Sequence, residues 1–283
     1  MATATIDGIA TRYEVFGDGP PLLMYSPGGF DGTVEKWSTQ GVYARIRLLE
    51  HLPKKYRCIV FDRRETGQSG GRVEVLTWQR YVAQGKGLLE HLGIARAHLM
   101  GACMGVCPVV AFAVEHPEMV ESMVLYWPVG GAKYRINNHQ RFANHIDYAE
   151  RYSLADVSAL AASSGKTFGE DPRGGPWASV LRRDPAFAEA FAALDRQKYM
   201  GIVSDTSRAL YDRDTAPGAE PEDLMRLDIP VLVIPGKDAS HATSAARYLE
   251  ECLPGAQYWD VAPEQQTEAS APARVLEFLE GVG

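Results

Sequence analysis

Short apolar runs closed by turn residues alternate with helix-spaced apolar positions through the first 130 or so residues. Thr3–Ile6 and Tyr13–Phe16 predict a strand pair, with turns at Gly8 and at Gly17-Asp18-Gly19-Pro20. Leu22–Tyr25 predicts a short buried strand that ends at Ser26-Pro27-Gly28-Gly29. Arg45–Leu52 predicts a helix, because Leu48, Leu49 and Leu52 fall on one side. Further on come a strand at Cys58–Phe61, a helix at Trp78–Leu92, a strand at His98–Met100, a helix at Met104–Glu115 and a strand at Met119–Tyr126. Strands that alternate with helices imply parallel pairing, hence the α/β class.

The rhythm then stops. From Gly131 to Glu220 the pattern is helical, broken by loops at Gly165–Pro176 and Thr215–Pro221. It resumes with a strand at Ile229–Ile234, a helix at Thr243–Leu253, a strand at Gln257–Val261 and a helix at Pro272–Leu279. The economical organisation is one α/β core, residues 1–130 and 221–283, interrupted by a helical cap over residues 131–220.

Composition narrows the function classes. At 283 residues, 46% hydrophobic and 23% charged, the chain is an ordinary globular protein and not a disordered one. A core of this size needs no disulfide or metal staple. The 29 basic and 36 acidic residues leave a net charge of −7, which argues against nucleic acid or an anionic membrane as partner. No apolar run is long enough to span a membrane, and the start lacks the features of a secretory signal. Cys58, Cys103, Cys107 and Cys252 show no framework spacing, so a reducing, cytoplasmic setting is expected. Cys103 and Cys107 alone would make a poor metal site, and neither metal nor cofactor is expected.

The sharpest chemical signal is Leu99-Met100-Gly101-Ala102-Cys103-Met104-Gly105, between a predicted strand and a predicted helix. It resembles the nucleophile elbow of the α/β-hydrolase family, with Cys103 where most members carry serine. Asp62-Arg63-Arg64-Glu65-Thr66-Gly67-Gln68-Ser69 resembles the family's Asp-x-Arg-Gly-x-Gly-x-Ser loop, with Glu65 in place of a usual glycine. Ser26-Pro27-Gly28-Gly29 stands where the family has its His-Gly oxyanion loop, and Ile234-Pro235-Gly236-Lys237-Asp238 resembles the strand end that bears the triad acid. The resemblance implies a mostly parallel sheet of about eight strands, helices on both faces and a helical cap.

It also implies site residues. Cys103 would be the nucleophile, at a helix N-terminus that favours thiolate; Cys58 and Cys107 read as core. Oxyanion donors would be the amide of Met104 and that of Gly29 or Phe30. Asp238 would be the acid, or else a plain helix cap. The base is where the pattern breaks. The family's histidine follows the last strand, and here that stretch reads Val261-Ala262-Pro263-Glu264-Gln265-Gln266-Thr267-Glu268. Three repairs stay open. A helix-terminal thiol ionises partly without help; Glu264 becomes a base if burial raises its pKa; or a histidine from elsewhere serves. For that last role His241 stands three residues after Asp238, and His139 and His145 lie in the cap.

The stretch that opens the cap, Lys133 to His145, has no acidic residue, so Arg135, Arg141 and His145 suit a carboxylate-bearing small molecule, or else a solvated helix face. Trp127 and Trp177 are candidate pocket walls. The leading reading is a small-molecule hydrolase acting through a Cys103 acyl-enzyme on an ester, thioester, lactone or activated amide. A lyase or isomerase on the same scaffold, and a binder that has lost its base, are the alternatives.

Overall fold

The computed structural model describes residues 1–282. Eight strands form one sheet: β1 (Ala2–Ile6), β2 (Ile9–Phe16), β3 (Pro21–Tyr25), β4 (Arg57–Phe61), β5 (Ala97–Ala102), β6 (Val120–Tyr126), β7 (Val231–Ile234) and β8 (Ala256–Tyr258). Their spatial order is β1-β2-β4-β3-β5-β6-β7-β8. The two ladders made by β2 are antiparallel, and every later one is parallel. This is the mostly parallel sheet of about eight strands that the family resemblance implies, and the α/β class that the alternation predicts.

β5 and β7 are buried at every residue, and β3, β4 and β6 nearly so. A strand without an exposed side needs cover on both faces, which is why these segments read as continuous apolar runs. Two helix groups supply it. Trp78–His91 packs with Val106–Glu115, and Leu48–His51 packs with Ser270–Gly281.

The chain leaves β3 for β4 on one side and later returns to β5 on the other. β3 therefore pairs with both, and the loops that follow β3 and β5 diverge at this switch point. Such a divergence leaves a crevice at the carboxyl ends of the strands. Tyr25 is in register with Gly101, and Ala102 with Tyr126, which is itself opposite Ile234. The ends of β3, β5, β6 and β7 therefore converge on one place.

Between β6 and β7 the chain is helical, at Ala132–Arg151, Leu154–Ser164, Ala178–Arg183, Pro185–Ala192 and Arg196–Leu210, with a short Pro221–Leu224 helix before the return. Elsewhere some boundaries shift. The helix expected at Arg45–Leu52 is two, Gly41–Ile46 and Leu48–His51, because Arg47 adopts a left-handed backbone with φ 52°. The final strand stops at Tyr258 instead of Val261. No helix among the described residues is long and apolar enough to cross a membrane.

Candidate active site

Cys103 follows β5 directly. Its φ is 54°, a left-handed conformation that costs a non-glycine residue about 1–3 kcal/mol. The glycines on either side show why the turn is held. A Cβ on Gly101 would stand 2.3 Å from the carbonyl oxygen of Gly105, and one on Gly105 would stand 2.4 Å from that of Tyr25. The crossing is too tight for any side chain. A 3-10 turn, Cys103–Gly105, then leads into the helix Val106–Glu115, which places Cys103 at the helix's N-terminal end. Cys103 is 9% exposed and faces a cavity of about 210 Å³.

A candidate base arrives from the end of β7. Gly130 and His241 form a parallel bridge, and the Gly130 amide donates to the Ser240 carbonyl at 3.0 Å, which fastens the loop beside β6. Asp238 Oδ1 accepts from the amides of Ser240 (2.8 Å) and His241 (3.0 Å). The same carboxylate accepts the His241 Nδ1–H at 2.9 Å. Asp238 therefore shapes the turn and orients the ring; it is not a helix cap, since Ala242 holds that position. The other ring nitrogen, Nε2, is buried with no hydrogen-bond partner among the described residues, and His241 lines the same cavity as Cys103. Trp127, itself at φ 51°, packs on the imidazole with ring centroids 5.3 Å apart.

Electrostatics follow from this shared cavity. Burial opposes ionisation of the Cys103 thiol, but the His241 cation and the amides of Gly28 and Met104 outweigh it and hold the thiol below its ordinary value. Burial likewise opposes a charge on His241, and the adjoining thiolate and Asp238 overcome it, raising its pKa. The hydrogen bond from His241 brings Asp238 down to about 2. Each partner thus favours the charged form of the other, thiolate on Cys103 and imidazolium on His241.

In the stretch after the last strand, where the family resemblance puts a histidine, the buried residue is Gln266. It is fully buried, and its Oε1 accepts from Tyr126 Oη (3.0 Å) and Trp127 Nε1 (2.7 Å). Its Nε2 donates to the carbonyls of Pro235 and Val261. Glu264, a candidate base in the sequence, is exposed: the 3-10 turn Pro263–Gln265 sends Gln266 inward and Glu264 out. Glu264→Gln is therefore expected to leave turnover and its pH profile unchanged within about twofold, as for a surface substitution. A hundredfold loss in kcat would restore the glutamate as base.

Other expectations need correction. His145 is interior to the helical segment, donating from Nδ1 to the Arg173 carbonyl and accepting at Nε2 from Tyr199 Oη. Burial drops its pKa to about 4, so it is a neutral structural bridge and does not reach the cavity. His139 is likewise engaged, with Ser207 Oγ and the Tyr211 carbonyl. Trp177 is buried away from the cavity, its Nε1–H given to the Arg72 carbonyl. Trp127 supports His241 instead of forming a pocket wall. Arg135 turns outward to the Tyr211 carbonyl and Asp214.

Arg141 does line the cavity, with Nη1 donating to Asn138 Oδ1 at 3.0 Å and no carboxylate paired with it among the described residues. Gly29, Phe30 and Met104 line it too, as expected for oxyanion donors, together with Gly28 of the same loop and with Tyr134 and Asn138, which sequence reasoning passed over. Phe30 packs edge-on against Phe142 and Phe168, giving the cavity an apolar flank.

A family model described as alpha/beta hydrolase fold matches residues 21–168. A Mycobacterium tuberculosis (strain H37Rv) protein named for non-heme bromoperoxidase is 30% identical over 186 residues, covering 62% of this chain and 66% of that one. A Comamonas testosteroni protein named 2-hydroxy-6-oxo-6-phenylhexa-2,4-dienoate hydrolase is 34% identical over 122 residues, covering 42% of this chain and 40% of that one. This chain thus spans under two-thirds of the length of either curated relative. A solved α/β hydrolase from a Medee basin deep-sea metagenome library superposes with TM-score 0.65 at 18% identity, over 99% of this chain and 97% of that one.

Proposed function

The chain belongs to the α/β hydrolase fold family, and from that premise we propose that it is a cysteine-dependent hydrolase of small carboxylate-bearing esters, thioesters or lactones. The observation that carries this reading is the Cys103 sulfur at a strained turn, faced by a histidine that Asp238 orients. The Cys103 thiolate attacks the acyl carbon, forming a C–S bond while the carbonyl electrons move to oxygen. Backbone amides near the sulfur stabilise that oxyanion. The tetrahedral adduct collapses, the bond to the leaving group breaks, and the His241 imidazolium gives that group its proton. Neutral His241 then takes a proton from water, whose hydroxide attacks the thioester. Collapse of the second adduct frees the carboxylic acid and restores thiolate and imidazolium. Asp238 stays ionised throughout and keeps the Nδ1–H fixed, so that Nε2 faces the chemistry.

Intact-mass spectrometry after mixing with p-nitrophenyl acetate tests the reading. A gain of one acetyl group on Cys103, with release of p-nitrophenolate, is expected; release with no adduct on Cys103 at any time would reject it.

For the substrate's charge, Arg141 is the favoured contact, as a half-buried cation on the cavity wall with no carboxylate partner among the described residues. The Comamonas relative is named for a substrate that is itself a carboxylate. Arg141→Gln should raise KM for a carboxylate-bearing ester about tenfold or more over its effect on the neutral analogue, whereas Arg135→Gln should treat both alike. Equal effects from Arg141→Gln would assign it to the helix surface.

A further inference from the structure

Arg63 is completely buried, yet no carboxylate is paired with it among the described residues. The neighbouring acids are committed elsewhere. Asp62 accepts from Arg12 and from the amides of Val34 and Gln68, and Glu65 accepts from Arg64. The Arg63 guanidinium lies over the Tyr81 ring, 5.6 Å from its centroid, and its Nε and Nη1 have no hydrogen-bond partner. Its Nη2 donates to two consecutive carbonyls, those of Gly28 and Gly29. A buried cation that gives its bonds to neutral oxygens is costly unless the loop or the chemistry needs it.

The loop does need it. In a planar trans peptide the N–H points opposite to the carbonyl of the preceding residue. Drawing the Gly28 and Gly29 carbonyls toward Arg63 therefore turns the N–H groups of Gly29 and Phe30 the other way. Gly29 and Phe30 line the cavity with Cys103, and their amides have no acceptor among the described residues. Gly28 stands at φ 104°, a left-handed value only glycine adopts freely, so the loop has little intrinsic preference to hold this arrangement. Resting on the acyl-enzyme reading above, we propose that Arg63 is the positioning residue of the oxyanion site: it grips the Gly28 and Gly29 carbonyls from behind and thereby aims free backbone N–H groups at the oxygen of a substrate attacked by Cys103. Its charge also polarises those two peptide groups in the direction that makes their N–H groups better donors.

The role separates from nucleophile activation. Alkylation of Cys103 by iodoacetamide needs a thiolate but develops no carbonyl oxyanion, whereas acylation by p-nitrophenyl acetate needs both. Arg63→Met and Arg63→Lys remove the two-carbonyl grip, since lysine offers a point charge in place of the planar fork. Both should slow p-nitrophenolate release in the first turnover by about a hundredfold, the loss associated with one oxyanion donor. The alkylation rate should stay within about twofold. Gly32→Ala provides a probe that keeps the arginine: a Cβ there would stand 2.3 Å from Arg63 Nε and 2.4 Å from Nη2, so the guanidinium must shift. It should show the same selective loss in smaller degree, and it carries the test if the Arg63 variants do not fold. Equal loss of alkylation and acylation would make Arg63 a support for the elbow, and unchanged acylation would leave it without this role; either overturns the proposal. A wild-type protein that alkylates but never acylates would remove the acyl-enzyme reading, and this inference with it.

Discussion

His241→Gln should lower turnover of an activated ester by about 10²- to 10⁴-fold, the span expected for loss of a positioned proton-transfer group. The same substitution should move the thiol's titration upward. In the parent protein His241 opposes the burial that would otherwise raise the Cys103 pKa. Glutamine leaves the burial and removes the cation, so the thiolate fraction near neutral pH falls. Iodoacetamide alkylation followed across pH reads this directly. In the parent the rate should hold its plateau to pH values below the ordinary thiol range and decline only where the lowered thiol takes up its proton. In the variant the decline should begin at higher pH. An unchanged alkylation profile would mean that the histidine does not sense the thiolate, and the ion pair would have to be abandoned.

Cys103→Ala should reduce hydrolysis to the uncatalysed background with no adduct by mass. Cys103→Ser is the more informative change. The hydroxyl is not ionised at rest, so the serine depends entirely on a base. With the thiolate gone, one influence that raises the His241 pKa disappears, and the imidazole becomes available in neutral form closer to neutral pH. Asp238 still orients it. The serine variant should therefore keep a low but measurable rate, well above that of the alanine variant, with an acid limb set by His241. Adding His241→Gln to the serine variant should erase that residue of activity. Parity between serine and alanine would show that no base reaches this position.

The elbow was legible because its demands are steric and local. Gly101 and Gly105 mark a crossing of strand and helix that no other residue fits, and those two glycines are visible in the chain as spacing. The base was less legible. The sequence leaves three sources open, and of these the Ala262–Thr267 loop turns Gln266 and not Glu264 inward. His241 is within view as one of three candidate histidines, and the helix that follows it begins only at Thr243. The Asp-x-x-His spacing is compatible with a turn in which the carboxylate accepts both the backbone and the ring N–H of the histidine. Helical phase carried a usable signal for the basic stretch. Tyr134, Asn138 and Arg141 recur at helical spacing on one stripe, whereas Arg135 is displaced by about 100° from Tyr134. Reading the cluster as charge alone joined residues that the helix separates. The two-carbonyl grip of Arg63 had no signal in the sequence, since backbone oxygens carry no letter.

The placement of acid and base three residues apart has a consequence for how the protein folds. Closing so short a loop costs almost no chain entropy. The Asp238–His241 contact therefore belongs to the local order of one turn, and its long-range requirement reduces to seating that turn beside Gly130. Where a histidine follows the last strand, the charged pair exists only while the carboxyl-terminal end is docked. Under the proposed mechanism that end contributes Gln266 and apolar packing but no reacting group here. Transient opening of β8 and the helix Ser270–Gly281 would loosen the support of Trp127 while leaving the carboxylate and imidazole joined, which separates resistance to fraying from possession of the proton-transfer pair.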